Sequence, residues 1–353
     1  MTESRKSGPA TDELKPTTIM GQVYGVFPAF AMLAAMRLDV FTPLRDGPLA
    51  AGAVAEALGV RADKLAPLLY SLVEVGLLKV ENGRFSNTGE AGKYLVRGRP
   101  DYMGELCGFY QTLWELALKT ADSIRAGKPQ AKLDFHNLPE EELLAYFRKQ
   151  FHHSLRAGRE IAAKIDFSKT EKLLDAGGGT GGVSIAVCEK NPGLTATVAD
   201  LPKVAKLAEQ FISEAGLSGR IDISTNDLRC DPPAEKYDAA IMRALIQTLS
   251  EEDARLCLKC VGRSLLPGGR LFIFGNVMDN SNLGPPPSLA FSLVFLNSYD
   301  QGRAYTENEY RDMLQEAGFT DVAVEYEALD DGLCLIRAIK NSEDSTDGPK
   351  PGR

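Results

Sequence analysis

Residues 172–182 constrain the fold of this chain more than any other segment. They read KLLDAGGGTGG, a short apolar strand pattern that runs directly into a glycine-rich loop. Glycines at such a place let the backbone adopt positive φ and approach a ligand closely. From here to about residue 340, strand and helix patterns alternate, which predicts an α/β fold with a parallel sheet wrapped by helices on both faces. Ligands bind such sheets in the crevice beyond the carboxyl ends of the strands.

Polar residues stand at the predicted ends of the next two strands. Asp200 closes the second strand, where an acid can accept hydrogen bonds from both hydroxyls of a ribose. It could instead cap the helix that begins at Pro202. The third strand ends in Asn226-Asp227-Leu228, where a polar and an apolar side chain could bracket an adenine, although Asp227 could equally be a cap. A nicotinamide enzyme is a different alternative, but the loop lacks the final glycine spacing of its Gly-x-Gly-x-x-Gly motif.

The first hundred residues have a different character. Residues 17–100 show three helical patterns followed by a β-hairpin, because Asn82-Gly83 is a strong two-residue turn between apolar runs. This order is typical of a winged helix, a fold that binds DNA or serves as a dimerisation or lid domain. Between residues 20 and 100, nine Lys/Arg stand against seven Asp/Glu, and the helix that would enter the groove has only Lys64. With a net charge of -8 for the chain, we expect no nucleic-acid partner.

The boundaries and the compartment follow from composition. We expect disordered tails at residues 1–16 and 341–353, a helical linker and substrate lid at 101–165, and the α/β domain at 166–340. The most apolar stretch, Val23 to Met36, is shorter than a membrane span and predicts a buried helix, with no membrane partner. Six cysteines form no disulfide framework, which favours a cytoplasmic setting. Cys257 and Cys260 fall on one predicted helix, so we expect them to be buried and expect no metal site.

Five motifs give the chain a definite resemblance over residues 20–340. They are GPLAAGAVAEALGV, LLDAGGGTGG, VADLPKV, SLLPGGRLFIF and YTENEYRDMLQEAGF. The chain resembles the class I S-adenosylmethionine-dependent methyltransferases, and among them the small-molecule O-methyltransferases of the caffeate and hydroxyindole type. The resemblance implies a Rossmann-like methyltransferase domain, an N-terminal winged-helix dimerisation domain, a homodimer, and S-adenosylmethionine that leaves as S-adenosylhomocysteine. The cofactor residues that it implies are Asp175, Gly177, Gly179, Asp200, Leu201, Asp227, Leu228 and Arg243.

The chain departs from this family at the residues that would remove the proton from the acceptor's hydroxyl group. The family's catalytic histidine corresponds to Gln247 here, and the acid that orients the histidine corresponds to Gly275, beside Asn276. A glutamine cannot accept a proton at neutral pH, and a positioned base contributes typically about 10²–10⁴-fold in rate. Three explanations follow: the nucleophile needs no base, another residue is the base, or no methyl group is transferred.

The first explanation is the most economical, because a thioether sulfur has a lone pair and no proton to lose. Enzymes that convert 4-methylthio-2-hydroxybutyrate to its sulfonium, on the route to dimethylsulfoniopropionate, belong to the same superfamily, and the missing base suggests S-methylation of such a small thioether acid. The second explanation makes His152 or His153 the base of an O- or C-methyltransferase for an aromatic or polyketide-like metabolite. The third is a cofactor-sensing winged-helix regulator without catalytic activity.

The predicted substrate residues are mostly aromatic or polar and lie on the helices around the expected pocket. Arg148, Tyr146, Tyr299 and Arg303 are candidates for binding an acceptor carboxylate, since arginine suits bidentate contact with one. His136 lies in a polar loop and is expected to be solvated. The full set of substrate candidates is Tyr110, Trp114, Tyr146, Phe147, Arg148, His152, His153, Gln247, Asn297 and Tyr299.

Overall fold

A computed structural model describes residues 14–132 and 137–342. The predicted tails lie almost wholly outside the described residues, and so does His136. The chain divides into two compact units, residues 1–107 and 108–353.

The first unit contains the predicted helices and hairpin. Its elements are α1 (Thr17–Leu38), β1 (Leu49–Ala50), α2 (Ala51–Leu58), α3 (Ala62–Glu74), β2 (Leu78–Glu81), β3 (Arg84–Asn87) and α4 (Gly89–Tyr94). The three strands form an antiparallel sheet in the order β1-β3-β2. Asn82 and Gly83 both adopt positive φ, 49° and 73°, as a two-residue hairpin turn of this type requires. The hairpin prediction is therefore confirmed.

Helix α1 differs from its prediction. It runs for 22 residues, and its only buried side chains are Leu33, Ala35 and Met36. Large apolar side chains are exposed along most of its length, among them Val23, Phe27 and Phe30 at 51%, 59% and 46%. The expectation of a buried helix is therefore wrong. The expected length is wrong as well, because α1 is the one helix among the described residues that is long and apolar enough to cross a membrane.

The second unit has the predicted alternation. Its elements are α5 (Cys107–Ala117), α6 (Thr120–Ala126), α7 (Glu140–Lys164), β4 (Lys172–Ala176), α8 (Gly182–Lys190), β5 (Thr195–Asp200), α9 (Pro202–Glu214), β6 (Ile221–Thr225), β7 (Tyr237–Arg243), α10 (Glu251–Ser264), β8 (Leu265–Gly275), β9 (Val277–Met278), α11 (Pro286–Ser298), β10 (Tyr305–Thr306), α12 (Glu307–Glu316), β11 (Phe319–Glu325) and β12 (Cys334–Lys340). Seven strands form one sheet in the order β11-β12-β8-β7-β4-β5-β6. Only the β11–β12 and β12–β8 pairs are antiparallel. The predicted Rossmann-like fold is confirmed.

Two features of this sheet place the functional groups. The strand order reverses between β4 and β7, which puts the ligand crevice beyond the carboxyl ends of these two strands. Helix α7 packs on α8 at close range, because a Cβ on Gly158 would stand 2.8 Å from the Ala186 Cβ. That contact fixes the middle of α7 beside the glycine loop. Helix α10 packs in the core with both Cys257 and Cys260 buried, as predicted.

Candidate active site

A buried carboxylate, that of Asp175, supports the glycine loop between β4 and α8. Gly177, Gly179 and Gly181 have φ of 73°, 58° and 74°, a region that side chains disfavour. Asp175 accepts a hydrogen bond from Ser184 Oγ at 2.7 Å, and its carboxyl carbon lies 2.7 Å from the position of a Cβ on Gly178. Burial raises the pKa of Asp175 to about 6. Asp175 therefore supports the loop rather than lining its outer surface.

Asp200 joins the loop to the end of β5. Its carboxylate accepts the Gly179 N–H at 2.9 Å and the Leu201 N–H at 2.7 Å, and burial raises its pKa. Leu201 is the N-cap residue of α9, and its side chain makes no capping hydrogen bond. Asp200 thus binds the cap residue's own N–H instead of an N–H in the first turn. A carboxylate offers about four lone-pair sites, so two remain for other donors, which fits the ribose hydroxyls.

The acid after β6 is already paired. Asp227 accepts two hydrogen bonds from the Arg229 guanidinium, at 2.9 Å and 2.6 Å. This ion pair raises the pKa of Arg229. Leu228 is buried at 8% exposure, as an apolar wall for an adenine would be. Leu228 fits the predicted cofactor role better, since Asp227 already accepts three hydrogen bonds from Arg229, which leave at most about one lone-pair site for a ligand.

Arg243, at the end of β7, lies between a histidine and an acid. Its Nη2 is 2.8 Å from His153 Nε2 and 2.9 Å from Asp331 Oδ2. A guanidinium only donates, so Nε2 of His153 accepts and its proton is on Nδ1. Burial, and then the Arg243 charge, lower the pKa of His153 to about 4. Phe109 stacks on the imidazole with ring centroids 5.4 Å apart.

This arrangement bears on His153 as a general base. The imidazole is neutral at pH 7, but its basic nitrogen is occupied by the Arg243 N–H. His152 is exposed, with its ring edge against Phe151 at a centroid distance of 5.6 Å. The contact with Arg243 therefore disfavours His153 as a preformed base, whereas His152 stays a candidate.

One aromatic residue of α7 contacts the glycine loop, and a second packs against the first. Phe147 Cε1 lies 3.4 Å from the position of a Cβ on Gly179, so this ring touches the loop. The Tyr146 ring packs edge-on against Phe147 at a centroid distance of 5.4 Å, and its hydroxyl accepts from Gln150 Nε2 at 2.9 Å. Tyr110, Trp114 and Tyr299 are half-buried, whereas Arg148 is exposed. Burial raises the pKa values of Tyr110 and Tyr299, so both hydroxyls stay protonated at neutral pH.

Two predicted substrate residues have structural roles instead. Asn297 is fully buried, its Oδ1 accepts from Ser123 Oγ at 2.6 Å, and its Nδ2 donates to Thr120 Oγ1 and the Leu293 carbonyl. It therefore fastens α11 to α6, and both of its N–H groups are already used in this fully buried place, which does not fit a role in binding a ligand. Arg303 forms ion pairs with two surface acids, so it does not fit a role in binding the acceptor carboxylate. Its partners are Glu309 at 2.5 Å and Glu251 at 3.4 Å.

Gln247 lies in a short 3₁₀ turn at Ile246–Thr248, and it is 1% exposed. Its Oε1 is buried and has no hydrogen-bond partner among the described residues. Gly275 makes room for it, because a Cβ at Gly275 would stand 2.8 Å from that oxygen. Leu245, two residues earlier, packs 2.8 Å from the position of a Cβ on Gly177, so this turn borders the glycine loop.

Sequence reasoning missed several residues that build this site. Ser184 under the loop, Phe109 on His153, Arg229 on Asp227 and Asp331 on Arg243 were not predicted. Asp331 lies 88 residues from Arg243 and comes from the connection between β11 and β12, where no local pattern marks it. Ser184 was within reach of prediction, because a hydroxyl early in α8 faces back toward β4.

Comparisons with known proteins agree with this architecture. Residues 23–97 match the family model of an O-methyltransferase dimerisation domain, and residues 126–320 match that of an O-methyltransferase domain. The chain is 30% identical over 328 residues to 3-hydroxy-5-methyl-1-naphthoate 3-O-methyltransferase of Streptomyces sahachiroi, covering 90% of this chain and 93% of the relative. It is 27% identical to L-tyrosine C(3)-methyltransferase of Streptomyces lavendulae, covering 88% and 89%.

A solved structure also matches over nearly the whole chain. Human N-acetylserotonin methyltransferase in complex with S-adenosylmethionine superposes with a TM-score of 0.76, at 24% identity, covering 94% of this chain and 99% of the other. The match to the O-methyltransferase model and the 30% identical methyltransferase set aside the nicotinamide-enzyme and non-catalytic regulator alternatives. The chain belongs to the O-methyltransferase family and is an S-adenosylmethionine-dependent methyltransferase.

Proposed function

We propose that this methyltransferase acts on a small-molecule nucleophile that needs no general base, most simply the sulfur of a small thioether acid such as 4-methylthio-2-hydroxybutyrate. The proposal is supported by Gln247, whose buried amide oxygen lies beside Gly275. The family resemblance assigns these two positions to the base and to the acid that orients it. His153 does not replace the base, since its basic nitrogen accepts from Arg243 at 2.8 Å.

The chemistry of a thioether acceptor matches this set of residues. The acceptor's sulfur lone pair forms the new bond to carbon while the electrons of the old C–S bond return to the departing sulfur. One sulfonium becomes another, so positive charge is conserved and no proton is released. The protein then has only to align the reactants and exclude water. Alignment of two reactants can lower a barrier by roughly 7–11 kcal/mol.

The cofactor would be held by the loop and the strand ends. Asp200 would accept the ribose hydroxyls through the two lone-pair sites that Gly179 and Leu201 leave free. Leu201 and Leu228 would flank the adenine, and the backbone at Gly177 and Gly179 would approach the methionine part. When bound, S-adenosylmethionine supplies an electrophilic methyl group. Phe147, which contacts Gly179, would shield that end of the site from water.

A second candidate is methylation of an aromatic hydroxyl. The Streptomyces sahachiroi relative carries a naphthoate substrate in its name, and half-buried aromatic residues such as Tyr110 and Trp114 could stack on a ring. A phenol acidic enough to ionise in solution would also need no base at residue 247. The L-tyrosine C(3)-methyltransferase relative extends the range of nucleophiles to carbon.

We also propose a homodimer formed through the first unit. Helix α1 exposes Val23, Phe27 and Phe30 at 46% or more, although a monomer in water gains from covering such a stripe. The match of residues 23–97 to a dimerisation domain makes a second copy the natural cover.

All six cysteines are free thiols, and the cytoplasmic location stays a prediction.

One assay separates the candidates. Purified protein is incubated with methyl-labelled S-adenosylmethionine and two acceptor panels, small thioethers and thiols on one side, phenols, catechols and hydroxyindoles on the other. Products are read by mass spectrometry, with Asp200→Ala as the cofactor-binding control. A sulfonium product whose rate is flat between pH 6 and 9 is expected. A methyl ether as the sole product, with a rate that rises with pH, would refute S-methylation and favour the aromatic candidate.

A further inference from the structure

A small cluster of buried polar side chains, formed by Gln247, Tyr310 and Asn276, has no role in the function proposed so far. Tyr310, on α12, is fully buried, and its hydroxyl has no hydrogen-bond partner among the described residues. Gln247 Oε1 is also buried and also has no hydrogen-bond partner among the described residues. Both oxygens face Gly275. From the place where a Cβ of Gly275 would stand, Oε1 is 2.8 Å away and the Tyr310 hydroxyl oxygen is 3.6 Å away.

Buried polar atoms without partners are rare, because each has lost its hydrogen bonds to water. Here the two atoms are complementary: the tyrosine hydroxyl can donate and the amide oxygen can accept. Buried waters typically occupy such places, bridging polar groups that do not reach one another. Asn276 Oδ1, next in the chain to Gly275, is a third buried oxygen without a partner among the described residues.

The side of the cluster that carries Tyr310 is well packed and lies on a capped helix. The Tyr310 ring packs edge-on against Tyr305 at a centroid distance of 6.0 Å. Helix α12 begins with a complete capping box, in which the Thr306 and Glu309 side chains bond each other's backbone N–H groups. A hydroxyl held in this way can fix the orientation of whatever it binds.

We propose that Tyr310 and Gln247 form a positioning pair across Gly275, bridged by one bound water, which fixes the Gln247 amide as a hydrogen-bond donor to the methyl acceptor. The amide group is planar, so when Oε1 is turned toward Gly275 the Nε2 group points away from it. The turn that carries Gln247 borders the glycine loop through Leu245. Nε2 would therefore donate to an oxygen of the acceptor, a carboxylate or a hydroxyl. Tyr310 is the positioning residue and Gln247 the acceptor-binding residue.

The first test needs no acceptor, so it is independent of the proposed function on which this inference rests. Urea unfolding of the full-length protein is measured for Tyr310→Phe, Gln247→Met and the double variant. A water-bridged pair predicts that the two effects are non-additive by about threefold or more in the unfolding equilibrium constant. Tyr237→Phe, another buried tyrosine, combined with Gln247→Met is the control and should be additive. Additive effects for Tyr310 and Gln247 would overturn the proposal.

The second test uses whichever acceptor the panels identify. Gln247→Met and Tyr310→Phe should each raise KM for the acceptor by about threefold to tenfold, with the pH dependence of kcat unchanged. The effect of Tyr310→Phe should vanish in the Gln247→Met background. If Tyr310→Phe lowers stability but leaves KM unchanged, Tyr310 is structural only and the proposal fails. Failure of both acceptor panels would count against the proposed function, and the unfolding experiment would still decide whether the pair exists.

Discussion

Replacing Asp200 with asparagine tests how the cofactor is held. The substitution keeps the shape of the side chain but removes its charge and turns one oxygen into a donor. In the folded chain both oxygens accept backbone N–H groups, from Gly179 at 2.9 Å and Leu201 at 2.7 Å. The amide of the variant could serve only one of them and could accept from fewer ribose hydroxyls. A hydrogen bond to a charged group contributes about 1.5–3 kcal/mol, so losing one from the cofactor predicts a Kd about 10- to 150-fold higher.

Isothermal titration with S-adenosylhomocysteine at pH 8 measures this directly, because the product binds without reacting. Asp222→Asn, an exposed acid on the neighbouring strand β6, is the matched control and should leave Kd unchanged. Burial raises the pKa of Asp200, so the wild-type affinity should fall as the pH is lowered toward that pKa, and Asp200→Asn should lose this dependence. A Kd for Asp200→Asn within threefold of wild type, with the unliganded protein equally stable, would refute the role of Asp200 as the ribose acceptor.

Three further substitutions test other parts of the structure. Gly177→Ala should weaken cofactor binding at least tenfold by titration, because φ is 73° there and the new Cβ would stand 2.8 Å from Leu245; unchanged binding would contradict a close approach at this loop. Burial and the Arg243 charge lower the pKa of His153 to about 4. The unfolded chain therefore binds more protons than the folded chain between about pH 4 and 6.5, so the free energy of unfolding falls as the pH drops through that window. In urea titrations His153→Gln should remove up to about 1.4 kcal/mol per pH unit of that slope, and an unaltered slope would contradict the lowered pKa. Phe30→Asp, in the exposed stripe of α1, should convert a dimer to a monomer by light scattering, and a persistent dimer would exclude this face.

Much of the fold could be predicted because its causes are local. The turn at Asn82-Gly83 needs two residues that tolerate positive φ, and both adopt it. The capping box of α12 needs a threonine three residues before a glutamate, and both reciprocal hydrogen bonds form. The α/β order follows from alternating strand and helix patterns, which depend on few neighbours. The position of Asp200 at the end of β5 could be predicted for the same reason, since a strand end is readable from the chain.

The parts that could not be predicted depend on residues far apart in the chain. Asn297 looked like a pocket residue, yet Ser123, 174 residues away, uses its oxygen. His153 looked like a candidate base, yet Arg243, 90 residues away, occupies its basic nitrogen. Helix α1 reads as core because its composition is apolar, but composition does not say whether the same chain or a second copy covers it. Contacts of this kind are decided by the folded arrangement and leave no local pattern.

The residues at 247 and 275 are best understood together. The Gln247 oxygen lies 2.8 Å from the place that any Cβ at residue 275 would take, so a side chain at 275 would require the end of this glutamine side chain to shift. Changing Gln247 to histidine alone would supply a ring without an acid to fix its tautomer, and changing Gly275 to aspartate alone would displace the amide. We expect neither single change to create a base, because an imidazole assists proton transfer only when its basic nitrogen is oriented toward the proton. Gln247 and Gly275 therefore form one structural unit, and this unit is compatible with the proposed S-methylation, which releases no proton, and equally with an acceptor that is already ionised in solution.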